Sequence, residues 1–207
     1  MRVWGRNTSA NVQKVMWAIG ELGLTCERID VGGPFGKNNE PPYLAMNPNG
    51  VVPTLEEDDG FILWESNSIV RYLAARHGVG TLEPSDLHTR FSAQRWMDWN
   101  LSVTNGAIFP VFWGLIRTPP EQRDHKAIEA GKAKCVAALK IMDDQLTKTR
   151  YIADDEFTYG DIPIAPFVYR YFRLVPDHPP FPSVERWYKE ICARPAFKEH
   201  VLDVPFT

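Results

Sequence analysis

Three short polar side chains, Thr8, Ser9 and Asn11, stand just before a helical hydrophobic repeat in "GRNTSANVQKVMWAIGELGL", residues 5–24. Val12, Val15, Met16 and Ile19 recur at i, i+3, i+4 and i+7, one apolar helix face that Gly23 brings to a stop. Such a cluster has two uses. A Thr, Ser or Asn oxygen can cap the first turn by accepting from a backbone N–H. The same hydroxyl and amide donors, at the positive end of a helix, can instead hold an anion. A second chemically unusual point is Pro53 in "NPNGVVPTL". A proline forfeits a ladder donor, so it belongs at a sheet edge or bend. A bend at Val52-Pro53 would present the main chain of Val52 as a pairing edge for an extended peptide.

These residues sit in a chain of 207 residues, 44% hydrophobic and 24% charged, with net charge -3. That is a globular composition with length for two modest domains. Before residue 78 there are 7 basic and 9 acidic residues, after it 16 and 17, so neither half has the basic surplus that nucleic acid or an anionic membrane requires. No apolar run approaches a membrane span, and "MRVWGRNTSA" has no signal-peptide core, so the expected compartment is the cytoplasm. Cys26, Cys135 and Cys192 are widely spaced, which argues against a disulfide framework or a dithiol motif. The five histidines show no ligand spacing, and no metal is expected.

The elements that must position the chemistry change character along the chain. Residues 1–78 alternate strand and helix: "MRVWG", a helix over 11–22, "CERIDV", a Gly/Pro-rich loop "GGPFGKNNEPP", and the short segment "YLAMNPNG". A hairpin turning at Asp58, Asp59 and Gly60 follows, then a helix over 67–77 capped by Ser66, with Ile69, Tyr72 and Leu73 on one face. This βαβ-ββα order makes a small mixed sheet with helices on its faces. After a linker at 79–87, residues 88–207 read as all-α: a long segment through Phe91, Arg95, Met97, Trp99 and Val103, a helix opening near residue 119, and two more beginning in "FTYGDIPIAPFVYRYF" and "FPSVERWYKEICARPAFKEHV".

The helix-start hydroxyls, "NPNGVVPTL", "LWESNSIVRYLA" and the switch to an all-α half together resemble the glutathione S-transferase superfamily, specifically its bacterial, serine-type, theta/delta/nu-like members. The resemblance runs over essentially the whole chain and implies a thioredoxin-like first domain followed by an all-α helical bundle. It implies that Ser9 activates the glutathione thiol, or that Asn11 does so as in some bacterial relatives, with Thr8 beside them. Val52 is similar to the residue whose main chain pairs with the cysteinyl part of glutathione, with Pro53 the cis-proline. Glu65 and Ser66 match the pair that holds the γ-glutamyl end. Gly50 departs from delta-like relatives, which often place a histidine there, so Lys37 or Asn38 becomes the candidate for the glycyl end.

The implied reaction is attack of a glutathione thiolate on a hydrophobic electrophile lying against the α domain, where Phe109 and Trp113, four apart, are the preferred contacts among Trp96, Trp99, Phe109, Phe112 and Trp113. The same site would serve a glutathione-dependent isomerase, dehalogenase or peroxidase, and some relatives keep the fold as non-catalytic binding or stress proteins. The family also implies a detoxification role and a homodimer, with Ile62, Trp64 and Arg71 near the interface. Thr158 and Asp161 read as a capping box that opens a helix, whose loss should cost about 1–2 kcal/mol.

Overall fold

A computed structural model describes all 207 residues, which divide into two compact units: Met1–Glu83 with Arg194–Phe206, and Pro84–Ala193 with Thr207. In the first unit, strands β1 (Arg2–Trp4), β2 (Glu27–Ile29), β3 (Thr54–Glu56) and β4 (Ile62–Trp64) form one sheet in the order β2-β1-β3-β4. The β1–β2 pair is parallel, as a crossover helix requires; β1–β3 and β3–β4 are antiparallel. Helices α1 (Ala10–Glu21), α2 (Pro41–Met46) and α3 (Ser66–His77) belong to the same unit, as do the short helical turns at Pro195–Phe197 and Lys198–Leu202.

The first helix shows how closely the chain follows its local signals. It ends at Leu22, and Gly23 takes φ +64°, the left-handed conformation that a residue without Cβ adopts freely. Gly23 N–H then bonds the Gly20 carbonyl and Leu24 N–H the Ile19 carbonyl, the paired bonds of a Schellman stop. The buried face is wider than the expected stripe: Gln13, Lys14 and Trp17 are inside, whereas Met16 is half-exposed. For Trp17 the reason lies at the other end of the chain. Residues 194–206, read from sequence as part of the helical half, pack in the first unit. Phe197 meets the Trp17 ring edge-on at 4.7 Å, and Arg194 forms a two-pronged ion pair with Glu21, which also accepts from Trp17 Nε1.

The second unit is helical throughout: α4 (Leu87–Trp99), α5 (Asn105–Phe112), α6 (His125–Leu146), α7 (Ala165–Leu174) and α8 (Pro182–Cys192). One π-helical turn, Asn100–Thr104, joins α4 to α5, so the long segment expected from sequence continues past Val103. The helix expected near residue 119 begins later. Asp124 caps it by accepting from Ala127 N–H, and the Pro-rich stretch before it makes only a short 3-10 turn.

The Thr158–Asp161 box does not cap α7, which starts at Ala165, one turn further on. Asp161 instead organises the interior. Its fully buried carboxylate accepts from the backbone N–H of Ile152 and Thr158, from Trp187 Nε1 at 2.8 Å and from the Thr158 hydroxyl. Burial pushes its carboxyl up to about 6, while those donors favour the ionised form. Asp161→Ala would therefore orphan three buried N–H groups, not one cap, and should cost roughly 3–5 kcal/mol in urea unfolding. A cost within the ordinary capping range of about 1–2 kcal/mol would contradict this role.

Candidate active site

Sheet register decides which segments meet. Trp4 of β1, Thr54 of β3 and Trp64 of β4 lie in one cross-strand row. The chain leaves β1 at that row toward Ser9, enters β3 from Val52-Pro53, and leaves β4 into Glu65 and Ser66. Three segments distant in sequence thus emerge at one end of the sheet, close enough that a Cβ on Gly5 would lie 3.2 Å from that of Val52.

Ser9 occupies the N-cap position of α1 with extended backbone, φ -79° and ψ 123°, and its carbonyl accepts from Gln13 N–H at 2.9 Å. Its hydroxyl makes no capping bond. The simplest sequence explanation for a serine here, a side-chain cap, therefore does not describe it. The first turn carries no acidic residue, so no carboxylate neutralises the positive end of the helix. Asn11 is exposed, and its Oδ1 accepts from Lys14 Nζ at 3.1 Å and from Ser66 Oγ at 3.4 Å. Asn11 and Ser66, 55 positions apart, are thereby brought together. Thr8 is half-buried beside them.

Val52-Pro53 is a cis peptide. The bend is secured by two residues that motif reading passed over: Tyr43 Oη and Asn47 Nδ2 both donate to the Val51 carbonyl, at 2.7 and 2.8 Å, and both bond Thr54 Oγ1. Burial raises the Tyr43 hydroxyl above its ordinary range, which keeps it a donor. The available signal was a tyrosine and an asparagine four apart in "YLAMNPNG": Tyr43 lies in α2, and Asn47, the extended residue just after it, still donates its N–H to the Tyr43 carbonyl. Gly50 is left-handed at φ +62°, and a Cβ there would approach Asn39 Oδ1 to 2.8 Å, so the absence of a larger residue has a local cause. Asn38 Nδ2 is engaged with the Gly50 carbonyl, whereas Lys37 is exposed.

Glu65, not Ser66, is the residue that precedes α3: its carbonyl accepts the first helical bond, from Ile69 N–H. Ser66 is the first helical residue and is buried. Glu65 is exposed and holds φ +71°, a conformation rare for a residue with a side chain and one found disproportionately at functional sites.

In the second unit, Phe109 and Trp113 stack at 5.4 Å and remain 59% and 52% exposed, while Trp96 and Phe112 are buried. Burial raises all three cysteine thiols, Cys135 to about 12, so none is a ready nucleophile.

A four-stranded βαβ-ββα unit with these segments at one sheet end, followed by a helical unit, is the architecture that the resemblance implies. Family models agree: "Glutathione S-transferase, N-terminal domain" matches residues 4–84 and "Glutathione S-transferase, C-terminal domain" residues 105–195. Glutathione S-transferase GstB of Escherichia coli K12 is 44% identical over 201 residues, with 97% of each chain covered. Glutathione S-transferase 3 of Zea mays is 29% identical, covering 99% of this chain and 95% of its own. The theta class glutathione S-transferase of Xanthomonas axonopodis pv. citri, solved with glutathione bound, superposes with TM-score 0.94 at 40% identity, covering 100% of this chain and 98% of that one. The chain belongs to the glutathione S-transferase family.

Removing the Tyr43 hydroxyl leaves a buried Thr54 and the Val51 carbonyl short of one partner each. Tyr43→Phe should cost about 1–2 kcal/mol of stability. If the bend serves binding, KM for glutathione should rise with kcat little changed, a split that steady-state kinetics reads directly.

Proposed function

We propose that this glutathione S-transferase stabilises the thiol of glutathione as a thiolate at the start of α1 and directs it at a hydrophobic electrophile. The observation that carries the reading is the Ser9 hydroxyl, standing at a helix N-terminus without a capping bond. A thiol of pKa about 8.5 is only a few per cent ionised at neutral pH. Lowering that value by two units needs roughly 2.7 kcal/mol of preferential thiolate stabilisation. A hydrogen bond to a charged group contributes roughly 1.5–3 kcal/mol. The helix end adds about 0.3–1 kcal/mol. Ser9, donating its proton without losing it, and the helix terminus together suffice; Asn11 is the second donor.

The remaining assignments follow the tripeptide. The Val52 main chain pairs with the cysteinyl residue as an added strand. The α3 N-terminus at Ser66 receives the γ-glutamyl carboxylate. Glu65, an exposed carboxylate on a constrained backbone, answers the ammonium. Lys37 is the better candidate for the glycyl carboxylate, because the Asn38 amide already bonds Gly50. Phe109 and Trp113, stacked and half-exposed, are the aromatic surface offered to an apolar electrophile. A thiol co-substrate suits the reducing cytoplasm. The detoxification role and the choice among conjugation, dehalogenation, isomerisation and peroxide reduction rest on the electrophile, which a panel of aryl halides, epoxides and hydroperoxides would identify.

We also propose a homodimer. β4 is an edge strand with Trp64 exposed, and an open sheet edge is ordinarily covered. Light scattering should return twice the chain mass of 23.6 kDa; the single-chain value would refute the dimer.

With an aryl halide acceptor, Ser9→Ala should lower kcat/KM by about 10–100-fold while the protein still binds immobilised glutathione, the loss expected for one charge-assisted hydrogen bond. Unchanged turnover in a folded Ser9→Ala protein would move thiol activation elsewhere. Failure of the wild-type protein to bind glutathione at all would favour a non-catalytic member of the family.

A further inference from the structure

Lys14 is an improbable residue for its position. It lies one turn into α1, near the positive end of the helix, where a cation opposes the macrodipole. It is also only 2% exposed, although lysine is almost never fully buried unless paired. Its ammonium donates to Asn11 Oδ1 at 3.1 Å, and the same oxygen accepts from Ser66 Oγ at 3.4 Å. The consequence falls on the amide of Asn11. A primary amide has one acceptor oxygen and one NH2 group on opposite branches. With two donors converging on the oxygen, the side chain has a single favourable orientation, and the NH2 group is turned to the other side. There it makes no hydrogen bond within the protein, on an exposed residue two positions after Ser9.

We propose that Lys14 is a positioning residue for the thiol site: it fixes the amide of Asn11 so that Nδ2–H is directed, with the Ser9 hydroxyl, at the sulfur of bound glutathione. This rests on the reading of Ser9 and Asn11 as thiolate donors. Lys14 itself does not touch the substrate. It acts through Asn11, and because Ser66 shares the Asn11 oxygen, it also links the thiol end of the site to the γ-glutamyl end. An ammonium suits this task better than a neutral donor, since a charged hydrogen bond is the stronger one and holds the amide more firmly.

A double-mutant cycle on Lys14 and Asn11 separates this role from a general effect of charge or of stability. The readout is the thiolate fraction of glutathione bound to the intact protein at pH 6.5, from the ultraviolet thiolate band at saturating glutathione. Asn11→Ala should lower that fraction, and Lys14→Met should lower it by about 3–10-fold, part of what a charge-assisted donor contributes. In the Asn11→Ala background Lys14→Met should have no further effect. Lys14→Arg, which keeps a charged donor, should restore at least half of the loss, and Lys14→Gln replaces Lys14→Met in the cycle if the latter does not fold. An equal loss from Lys14→Met in both backgrounds would mean that the charge acts directly on the sulfur, and would overturn the proposal. So would an unchanged band in a folded Lys14→Met protein. No thiolate band in the wild-type complex, or none lost in Asn11→Ala, would instead strike at the reading of the thiol site, and the proposal would fall with it.

Discussion

A hydroxyl at the start of a helix that does not cap it is the interaction on which this structure turns. Ser9 has the backbone of an N-cap, and its carbonyl begins the helical ladder, yet its side chain leaves the α1 terminus open. The first turn holds no carboxylate to quench the terminus. A helix of this length would be more stable with the cap made, by about 1 kcal/mol. That sacrifice is intelligible if an anion occupies the place of the cap, because thiolate then receives both the hydroxyl and the field of the helix end.

The first unit brings three segments together near that point, where we propose that the tripeptide lies. The row Trp4, Thr54, Trp64 brings the end of β1, the start of β3 and the end of β4 to one edge, so no long-range folding device is needed beyond strand register. Tyr43 and Asn47 then hold the bend before β3 through the Val51 carbonyl, and Glu65 accepts a left-handed backbone to begin α3. The chain's last segment reinforces α1 from its far end, where the Arg194–Glu21 pair and the Phe197–Trp17 contact anchor the helix. The helical unit has its own organiser in Asp161, buried under four donated hydrogen bonds.

Periodicity and turn chemistry made the elements legible. The β-α-β and β-β-α order, the Gly23 stop and the hairpin at Asp58–Gly60 all appear where local signals put them, because each depends on residues within a few positions. The family resemblance rested on short motifs whose order along the chain corresponds to their convergence at one sheet end. What stayed hidden depends on partners far away. Ser66 looked like a cap because serine before a helical run usually is one; the structure shifts that task to Glu65 through backbone conformation, which side-chain type does not report. Residues 194–206 carry helical periodicity whichever unit they pack in, so their place was not readable. Thr158 and Asp161 have capping spacing, but only the fold brings Ile152 and Trp187 to the same carboxylate. Lys14 carried no signal of its own, because nothing in its sequence neighbours announces that it is buried.

The most direct measurement is a pH titration of the ultraviolet thiolate band of glutathione bound to the wild-type protein and to Ser9→Ala. If the open start of α1 holds the sulfur anion, the bound-thiol pKa lies at least about one unit below the free value of about 8.5 and moves back toward it when the hydroxyl is removed. A bound pKa equal to that of free glutathione, or one that Ser9→Ala leaves where it was, would contradict the claim that the open start of α1 is what holds the sulfur anion.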